Sequence, residues 1–144
     1  GEMEALLDVL SSAIGSLTNP NKLQNTFKSV SKSKITATTK YMEYLEDAFL
    51  IEEANRYDIK GKSYIGTPSK YYFMDMGLRN SRINYRQLKM THSMENVIYN
   101  ELRMRGFRVD IGNLSIVEKD KTGKPVKKQL EVDFICNKGY VDPV

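Results

Sequence analysis

The stretch TATTKYMEYLEDAFLI, residues 36–51, constrains the fold more than any other part of this chain. Its apolar residues recur at helical spacing, which predicts a helix with one face against a core, formed by Ala37, Tyr41, Tyr44, Leu45 and Ala48. The apolar run then continues without a break through Phe49, Leu50 and Ile51. We therefore expect this helix to pass directly into a buried β-strand.

Two further helices are predicted before it. An amphipathic stripe indicates a helix over about residues 3–16, with the positions Met3, Leu6, Leu7, Leu10, Ile14 and Leu17. Asn19 is placed to cap the next helix, with Pro20 at its first position, where the missing N–H costs nothing. Leu23, Phe27 and Val30 mark the inner face of that second helix. The polar residues 31–35 then form the turn of a helix-turn-helix pattern.

A β-hairpin is predicted after the third helix. Residues 55–59 and 70–74 read as strands, and Pro68 belongs at an edge or in the connection because it cannot donate a ladder hydrogen bond. Three helices followed by a hairpin make a winged helix, with residues 60–69 as the wing. We assign residues 1–88 to this unit, including a short polar and basic linker that begins near residue 80.

Residues 89–144 form a second predicted unit, which is α/β. Met94, Val97, Ile98 and Leu102 share one face of a helix, and Gly106 is placed to end it in a left-handed C-cap. Strands are predicted over residues 107–111, 114–117 and 129–136. Residues alternate along the last strand, so one face is predicted to be apolar and the other acidic. The apolar face has Leu130, Val132, Phe134 and Cys136, and the acidic face has Glu131 and Asp133. The predicted fold class is therefore α+β.

Composition excludes several classes of protein. With 40% hydrophobic and 28% charged residues the chain is an ordinary soluble globular protein, and no apolar run is long enough to span a bilayer. The single cysteine, Cys136, excludes an internal disulfide and a cysteine-cluster zinc site, and it favours a cytoplasmic location. With one histidine, His92, no site built on several histidines can form. We expect no membrane partner.

Charge is distributed unevenly around the third helix. Residues 20–40 contain five lysines and no acids, whereas residues 41–53 contain five acids and no bases. A basic patch of this kind can follow the phosphates of a nucleic acid. It can equally be a solvated surface with no ligand.

Four motifs occur in an order that carries a family resemblance: residues 44–51 (YLEDAFLI), 71–79 (YYFMDMGLR), 94–96 (MEN) and 131–134 (EVDF). The chain resembles the C-terminal region of a prokaryotic family of predicted AAA-superfamily ATPases, over nearly its whole length. The resemblance implies an ATPase module before the winged helix and a unit similar to the PD-(D/E)XK nuclease fold after it. The sequence contains no GxxxxGK[ST] phosphate loop, so we expect this fragment to bind no nucleotide and to have the ATPase part of the same protein as a partner.

The resemblance also implies candidate nuclease residues. Glu95 lies on a helix that ends at Gly106 and Phe107, and Asp133 lies on a core strand, as the two acids of that pattern do. With Glu131 they form a candidate Mg²⁺ site, because carboxylates suit a hard cation. The acid and lysine expected on the next strand are absent from residues 137–144, so we expect the unit to be truncated and this fragment not to be catalytic.

Each of these acids has a structural alternative. Glu95 suits the first turn of a helix, where the dipole favours an acid, and Glu131 and Asp133 suit the wet face of an edge strand. Glu101 falls inside the predicted apolar stripe of its helix, where Arg105 at i+4 is its expected partner.

Three functions therefore stand at this point. The first is weak, sequence-independent binding of double-stranded DNA by the winged helix, through Lys28, Lys32, Lys34, Thr36, Thr38, Thr39, Lys40, Lys60 and Lys62, with the threonines and Lys40 outermost on the third helix. The second is a protein-interaction module that packs on the ATPase part or on another partner, through the acidic helix face. The third is a metal-dependent nuclease. An oligomer is compatible with all three.

Overall fold

The computed structural model describes residues 1–31, 37–84 and 90–138. Within these ranges the fold is α+β, with five helices and a mixed sheet of four strands. In chain order the elements are α1 (Glu2–Ser12), α2 (Pro20–Ser31), α3 (Thr38–Asp47), β1 (Ile51–Asp58), β2 (Ser63–Phe73), α4 (Met76–Arg82), α5 (Met90–Met104), β3 (Phe107–Lys119) and β4 (Pro125–Lys138). Residues 32–35 of the predicted turn and residues 85–89 of the predicted linker lie outside the described residues. The linker prediction is wrong at its start, because α4 continues to Arg82.

The sheet has the strand order β2-β1-β3-β4 and runs through both predicted units. β1 pairs with β2 antiparallel, and its last residues, 56–58, pair in parallel with residues 111–113 of β3. β3 and β4 form a long antiparallel hairpin. The predicted hairpin β1–β2 is therefore present, but it is part of a larger sheet rather than a separate wing. Its turn covers only residues 59–62, since β2 already begins at Ser63.

The end of β2 is buried on both of its faces. Lys70, Tyr71, Tyr72 and Phe73 are all at most 8% exposed. Because side chains alternate along a strand, Tyr71 and Phe73 pack with the N-terminal helices, whereas Tyr72 packs on the opposite side. This short segment separates the two cores of the protein.

The first core joins the three N-terminal helices to the base of the hairpin. Its buried residues are Leu6, Leu10, Ile14, Leu23, Phe27, Met42, Leu45, Ile51, Tyr71 and Phe73. The second core lies between α5 and the sheet and is smaller, with Ala54, Tyr72, Tyr99, Val109 and Ile111. Residues from β1 and β2 contribute to both, so neither core is complete without the hairpin.

The predicted buried face of α3 is confirmed at Leu45 and Tyr41 but wrong at Tyr44, which is 45% exposed. The buried positions of the helix are Thr38, Met42 and Leu45, at i, i+4 and i+7. The continuous apolar run into β1 is also interrupted, because Phe49 is 81% exposed with φ +56°. The N–H of Leu50 donates to the carbonyl of Leu45 at 3.0 Å and thereby closes the helix end around Phe49.

The apolar stripe predicted for α5 is wrong for three of its four residues. Met94, Val97 and Ile98 are between 46% and 55% exposed, whereas Leu102 packs against the second core and the buried positions are Asn96 and Tyr99. The Asn96 amide accepts a hydrogen bond from the Phe73 N–H at 2.9 Å and donates one to the Phe73 carbonyl at 2.7 Å. β2 is an edge strand, so these backbone groups need partners, and an amide satisfies both.

A β-bulge breaks the predicted alternation of β4. Between the pairs Asp110–Ile135 and Gly112–Val132, one residue of β3 faces two of β4, Asp133 and Phe134. The ring of Phe134 therefore lies against Tyr72 and Tyr99, on the side that also receives Glu131. The prediction that Phe134 and Glu131 lie on opposite faces is wrong for this reason.

Several local predictions are confirmed. Asn19 caps α2 by accepting from the Lys22 N–H at 2.8 Å, and Gly106 ends α5 with φ +84°. Glu101 pairs with Arg105 at 2.8 Å and is exposed. Two predictions are wrong in extent: α1 ends at Ser12 rather than residue 16, and the two strands predicted at 107–117 are the single strand β3.

Buried Arg79 fastens α4 to the end of α1. Its Nε donates to the Ser11 carbonyl at 2.9 Å, where the dipole of α1 favours a positive charge. Burial lowers the pKa of this guanidinium.

Among the described residues, no helix is both long enough and apolar enough to cross a membrane.

We expect Gly112→Ala to destabilise the protein by about 1–3 kcal/mol. A β-carbon at this position would lie 2.7 Å from the Cβ of Val132, which cannot rotate away. Gly66→Ala is the matched control on β2, because nothing lies within 4 Å of its added carbon. Urea unfolding of both variants measures the difference. Equal free energies of unfolding would contradict the close approach of β3 and β4.

Candidate functional site

A buried lysine brings together two carboxylates that are distant in sequence. The Nζ of Lys70 lies 2.8 Å from Oε1 of Glu95 and 2.6 Å from Oε1 of Glu131. The Lys70 side chain is 4% exposed, that of Glu95 14% and that of Glu131 40%. The three residues come from β2, α5 and β4, so only the folded chain assembles them.

Alternation along β2 directs a second polar group to the same place. Tyr72 lies two residues after Lys70 and on the same side of the strand, and its hydroxyl donates to Oε1 of Glu95 at 2.6 Å. The Glu95 oxygen therefore accepts from an ammonium and a phenol at once. We call Lys70, Tyr72, Glu95 and Glu131 the lysine–carboxylate cluster.

Aromatic packing closes one side of this cluster. The rings of Tyr72 and Tyr99 are stacked with centroids 4.2 Å apart, and Phe134 lies about 6 Å from both. The hydroxyl of Tyr99 donates to Glu52 at 2.7 Å, and Glu52 also pairs with Arg103 at 2.5 Å. The Tyr72 hydroxyl is thus held in position by its ring as well as by its hydrogen bond.

The surroundings keep the proton on both donors. Burial by itself lowers the pKa of Lys70, but its hydrogen bonds to Glu131 and Glu95 outweigh this effect and raise the pKa above its usual value. Burial, followed by the hydrogen bond to Glu95, raises the pKa of Tyr72. Lys70 is therefore charged and Tyr72 neutral at physiological pH, so neither is free to act as a base.

The predicted catalytic and metal residues are brought together only in part. Glu95 and Glu131 meet at Lys70, whereas Asp133 is exposed on the neighbouring part of β4. In the described ranges no three His, Cys, Asp or Glu side chains form a group that suits a metal ion. The oxygens that Mg²⁺ would need already bind an ammonium, so this donor set does not fit the ion that the nuclease resemblance implies.

Sequence reasoning missed Lys70 and Tyr72. The available signal was a lysine and a tyrosine at alternate positions of a strand whose other residues are aromatic, K-Y-Y-F at residues 70–73. A charged residue in such a strand requires a buried partner. The identity of the two partners depends on how α5 and β4 pack, which local pattern does not show.

The predicted nucleic-acid-binding residues fall into three groups. Exposed positions are occupied by Lys28 near the end of α2, Thr39 and Lys40 at the start of α3, and Lys60 and Lys62 at the β1–β2 turn. Thr38 is 5% exposed, so its predicted outermost position is wrong; it starts the buried face of α3. Lys32, Lys34 and Thr36 lie outside the described residues.

A polar groove of about 240 Å³ lies between the first turns of α2 and α3. Its described lining consists of Pro20, Asn21, Gln24, Ala37, Thr38, Thr39 and Lys40. Neither helix has an acid in its first turn, and the N-cap residue Ala37 has no side-chain oxygen for the free N–H groups of α3. Two positive helix ends therefore meet one groove, but Asn19 caps the Lys22 N–H of α2, so the free N–H groups belong mainly to α3.

The second half of α3 has the opposite charge. Burial, followed by repulsion from the nearby acids Glu53, Asp47, Glu43 and Glu52, raises the pKa of Glu46 to about 6. The ammonium of Lys40 lies 5.7 Å above the Tyr44 ring, at the boundary between the basic and acidic parts. On α3 the basic part is Lys40, whereas the other described lysines of the basic stretch lie on α2, and the last two acids of the acidic stretch lie on β1.

Comparison with known proteins gives a family and two distant relatives. A family profile described as "Domain of unknown function (DUF8612)" matches residues 1–89. An uncharacterized protein of Haemophilus influenzae is 38% identical over 138 residues, which cover 94% of this chain and 31% of the relative. An uncharacterized protein of Methanocaldococcus jannaschii is 30% identical over 135 residues, covering 93% and 28%. No solved structure matches the chain.

We expect the stability contribution of Glu46 to depend on pH. Its folded pKa of about 6 exceeds the ordinary value of 4.5, so the folded state binds more protons. The free energy of unfolding should therefore fall as the pH rises from about 4.5 to about 6. Glu46→Gln should raise this free energy by about 0.5–1 kcal/mol at pH 7, after allowance for solvent screening, and have little effect at pH 4.

Urea unfolding of Glu46→Gln and of wild type at the two pH values measures this effect. Glu118→Gln, at an exposed position of β3, is the control and should show no such pH-linked gain. An equal effect of Glu46→Gln at both pH values would contradict the repulsion within the acidic patch.

Proposed function

The chain belongs to the DUF8612 family, and we propose that it is the accessory region of a longer AAA-superfamily ATPase and binds the backbone of duplex DNA weakly and without sequence specificity. The chain spans only 31% and 28% of the two relatives that it matches, which supports a role as one region of a larger protein. The four-motif resemblance supports an ATPase as the remainder. The winged-helix assignment of the first unit is part of this proposal.

The groove between α2 and α3 is the observation that carries the DNA-binding proposal. Free N–H groups at a helix start, together with the helix dipole, favour a phosphate. Here two helix starts adjoin one groove without an acid in either first turn, and Thr39 and Lys40 are exposed beside it. A phosphate in this groove would receive backbone, hydroxyl and ammonium donors from neighbouring residues.

The charges around the groove explain why the proposed binding is weak and unspecific. Exposed Lys28, Lys60 and Lys62 can add phosphate contacts. A contact between a lysine and a phosphate does not depend on the base sequence, so these contacts add affinity without specificity. Further along α3, Glu43, Glu46 and Asp47 would repel the DNA backbone. The helix also contains no arginine or asparagine that could read a base through two hydrogen bonds. The helix therefore suits contact with phosphates through its first turn only.

We expect the affinity for a fluorescent DNA duplex to fall linearly with salt on logarithmic axes, with a slope of about −0.9 for each phosphate contacted. Lys40→Glu should weaken binding on the order of ten-fold at low salt and make the slope shallower. Lys121→Glu, a charge reversal of equal size in the exposed β3–β4 turn, should reduce the affinity much less.

Fluorescence anisotropy at several salt concentrations measures these affinities. An affinity that does not change with salt would contradict phosphate binding altogether. Equal losses for the two charge reversals would show that only net charge matters and would remove the groove from the proposal.

A second function, docking on the ATPase part of the same protein, is favoured by the exposure of Phe49. A phenylalanine in the left-handed backbone region costs about 1–2 kcal/mol, and this one is 81% exposed. Tyr44 is also exposed nearby on α3, next to the acidic patch. An exposed aromatic with acidic neighbours suits a partner surface that has basic and apolar groups.

Phe49→Gly separates docking from folding. Glycine adopts positive φ without strain, so we expect the free energy of unfolding to stay equal or to rise by about 1 kcal/mol. Association with the ATPase part, measured by titration calorimetry, should weaken several-fold. Met104→Ala, which removes a side chain that is 82% exposed at the end of α5, is the control. Unchanged association of Phe49→Gly would exclude Phe49 from the interface.

A further inference from the structure

We propose that Lys70 is the resident cation of the Glu95–Glu131 carboxylate pair and that it keeps divalent metal ions out of this site. The ammonium lies within 2.8 Å of one oxygen of each carboxylate. The inference does not depend on DNA binding, because the cluster lies on β2, α5 and β4 and shares no residue with the groove.

The negative charges of Glu95 and Glu131 explain why a cation is needed between them. Two carboxylates that meet in a partly buried place repel one another, and each loses hydration. Lys70 is 3% exposed and supplies one positive charge between them, while the Tyr72 hydroxyl supplies a further donor to Glu95. A buried ammonium with two carboxylate partners is correspondingly costly to remove, because both acids would lose their counter-ion.

The same geometry excludes a second cation. Mg²⁺ and Mn²⁺ bind carboxylate oxygens at about 2.0–2.2 Å and require several of them. Here Oε1 of Glu95 and Oε1 of Glu131 are the atoms that contact Nζ. A metal ion at these oxygens would lie within a few ångströms of the ammonium and would be repelled by it. Metal binding therefore requires Lys70 to leave.

The position of Lys70 in the chain gives this contact a further consequence. Lys70 lies within the family-matched residues 1–89, whereas Glu95 and Glu131 lie after them. The ion contacts therefore join the hairpin to α5 and β4, in addition to the backbone pairing of β1 with β3. Withdrawal of this one side chain would both loosen that junction and free two carboxylates.

Replacement of Lys70 should convert the carboxylate pair into a divalent-cation site. Lys70→Ala is expected to unfold at a lower temperature than wild type in EDTA. Millimolar Mn²⁺ should raise its unfolding midpoint by roughly 3–6 °C when the ion is about ten-fold above its Kd. The same concentration should leave the wild-type midpoint within about 1 °C, because Lys70 already occupies the site.

The double variant Lys70→Ala, Glu131→Gln is the control for ion binding elsewhere. It retains the small side chain at position 70 but has one carboxylate fewer, so it should lose most of the Mn²⁺ response. Circular dichroism follows unfolding, and titration calorimetry with Mn²⁺ counts the bound ions. Lys70→Ala should bind one ion more than either wild type or the double variant.

Each outcome decides the proposal. If Lys70→Ala is unfolded in EDTA but folds on addition of Mn²⁺, the ion replaces the ammonium as proposed. If it stays unfolded with Mn²⁺, or is folded and gains no Mn²⁺ binding, the pair is not a latent metal site. Mn²⁺ binding by wild type that Glu95→Gln or Glu131→Gln abolishes would show that Lys70 does not exclude the ion.

Discussion

The burial of one four-residue strand segment on both of its faces holds the structure together. Residues 70–73 lie at the end of β2, and their side chains alternate between two cores. Tyr71 and Phe73 complete the helical core, whereas Lys70 and Tyr72 reach the face that α5 covers. A substitution on one face of this segment that shifts the strand therefore also disturbs the packing on the other face. A shift of one residue in register would exchange the two sets of side chains between the cores.

The charges of the protein have different roles at different depths. On the surface, α3 separates a basic start from an acidic second half, and repulsion within the acidic part shows in the raised pKa of Glu46. Below the surface, the buried Lys70 ammonium lies against the Glu95 and Glu131 carboxylates, of which Glu95 is the more buried. The surface charges suit a partner with its own charge pattern. The charges of the lysine–carboxylate cluster instead satisfy one another and connect β2, α5 and β4.

Local sequence signals predicted much of the secondary structure. Asn19 with Pro20, and Gly106, marked helix ends that the structure confirms, because caps depend on a few adjacent residues. Helix faces were predicted less well. Met94, Val97 and Ile98 of the predicted stripe of α5 lie towards solvent, whereas Asn96 faces the sheet and satisfies both backbone groups of Phe73. Periodicity identifies a helix but does not show which side of it meets an edge strand with free N–H and C=O groups.

The sequence by itself determined the α+β class, the order of helices and strands, the basic stretch before and at the start of α3 with the acidic stretch after it, and the individual acids Glu95 and Glu131 as residues of interest. Only the tertiary structure decided what those acids do. A bulge in β4 directs Glu131 and Phe134 to the same side, and the alternation of β2 brings Lys70 there from 25 residues before Glu95. Lys70 and its two partners meet through packing across four strands and a helix. No spacing along the chain encodes that meeting, because it depends on the shape of the whole sheet.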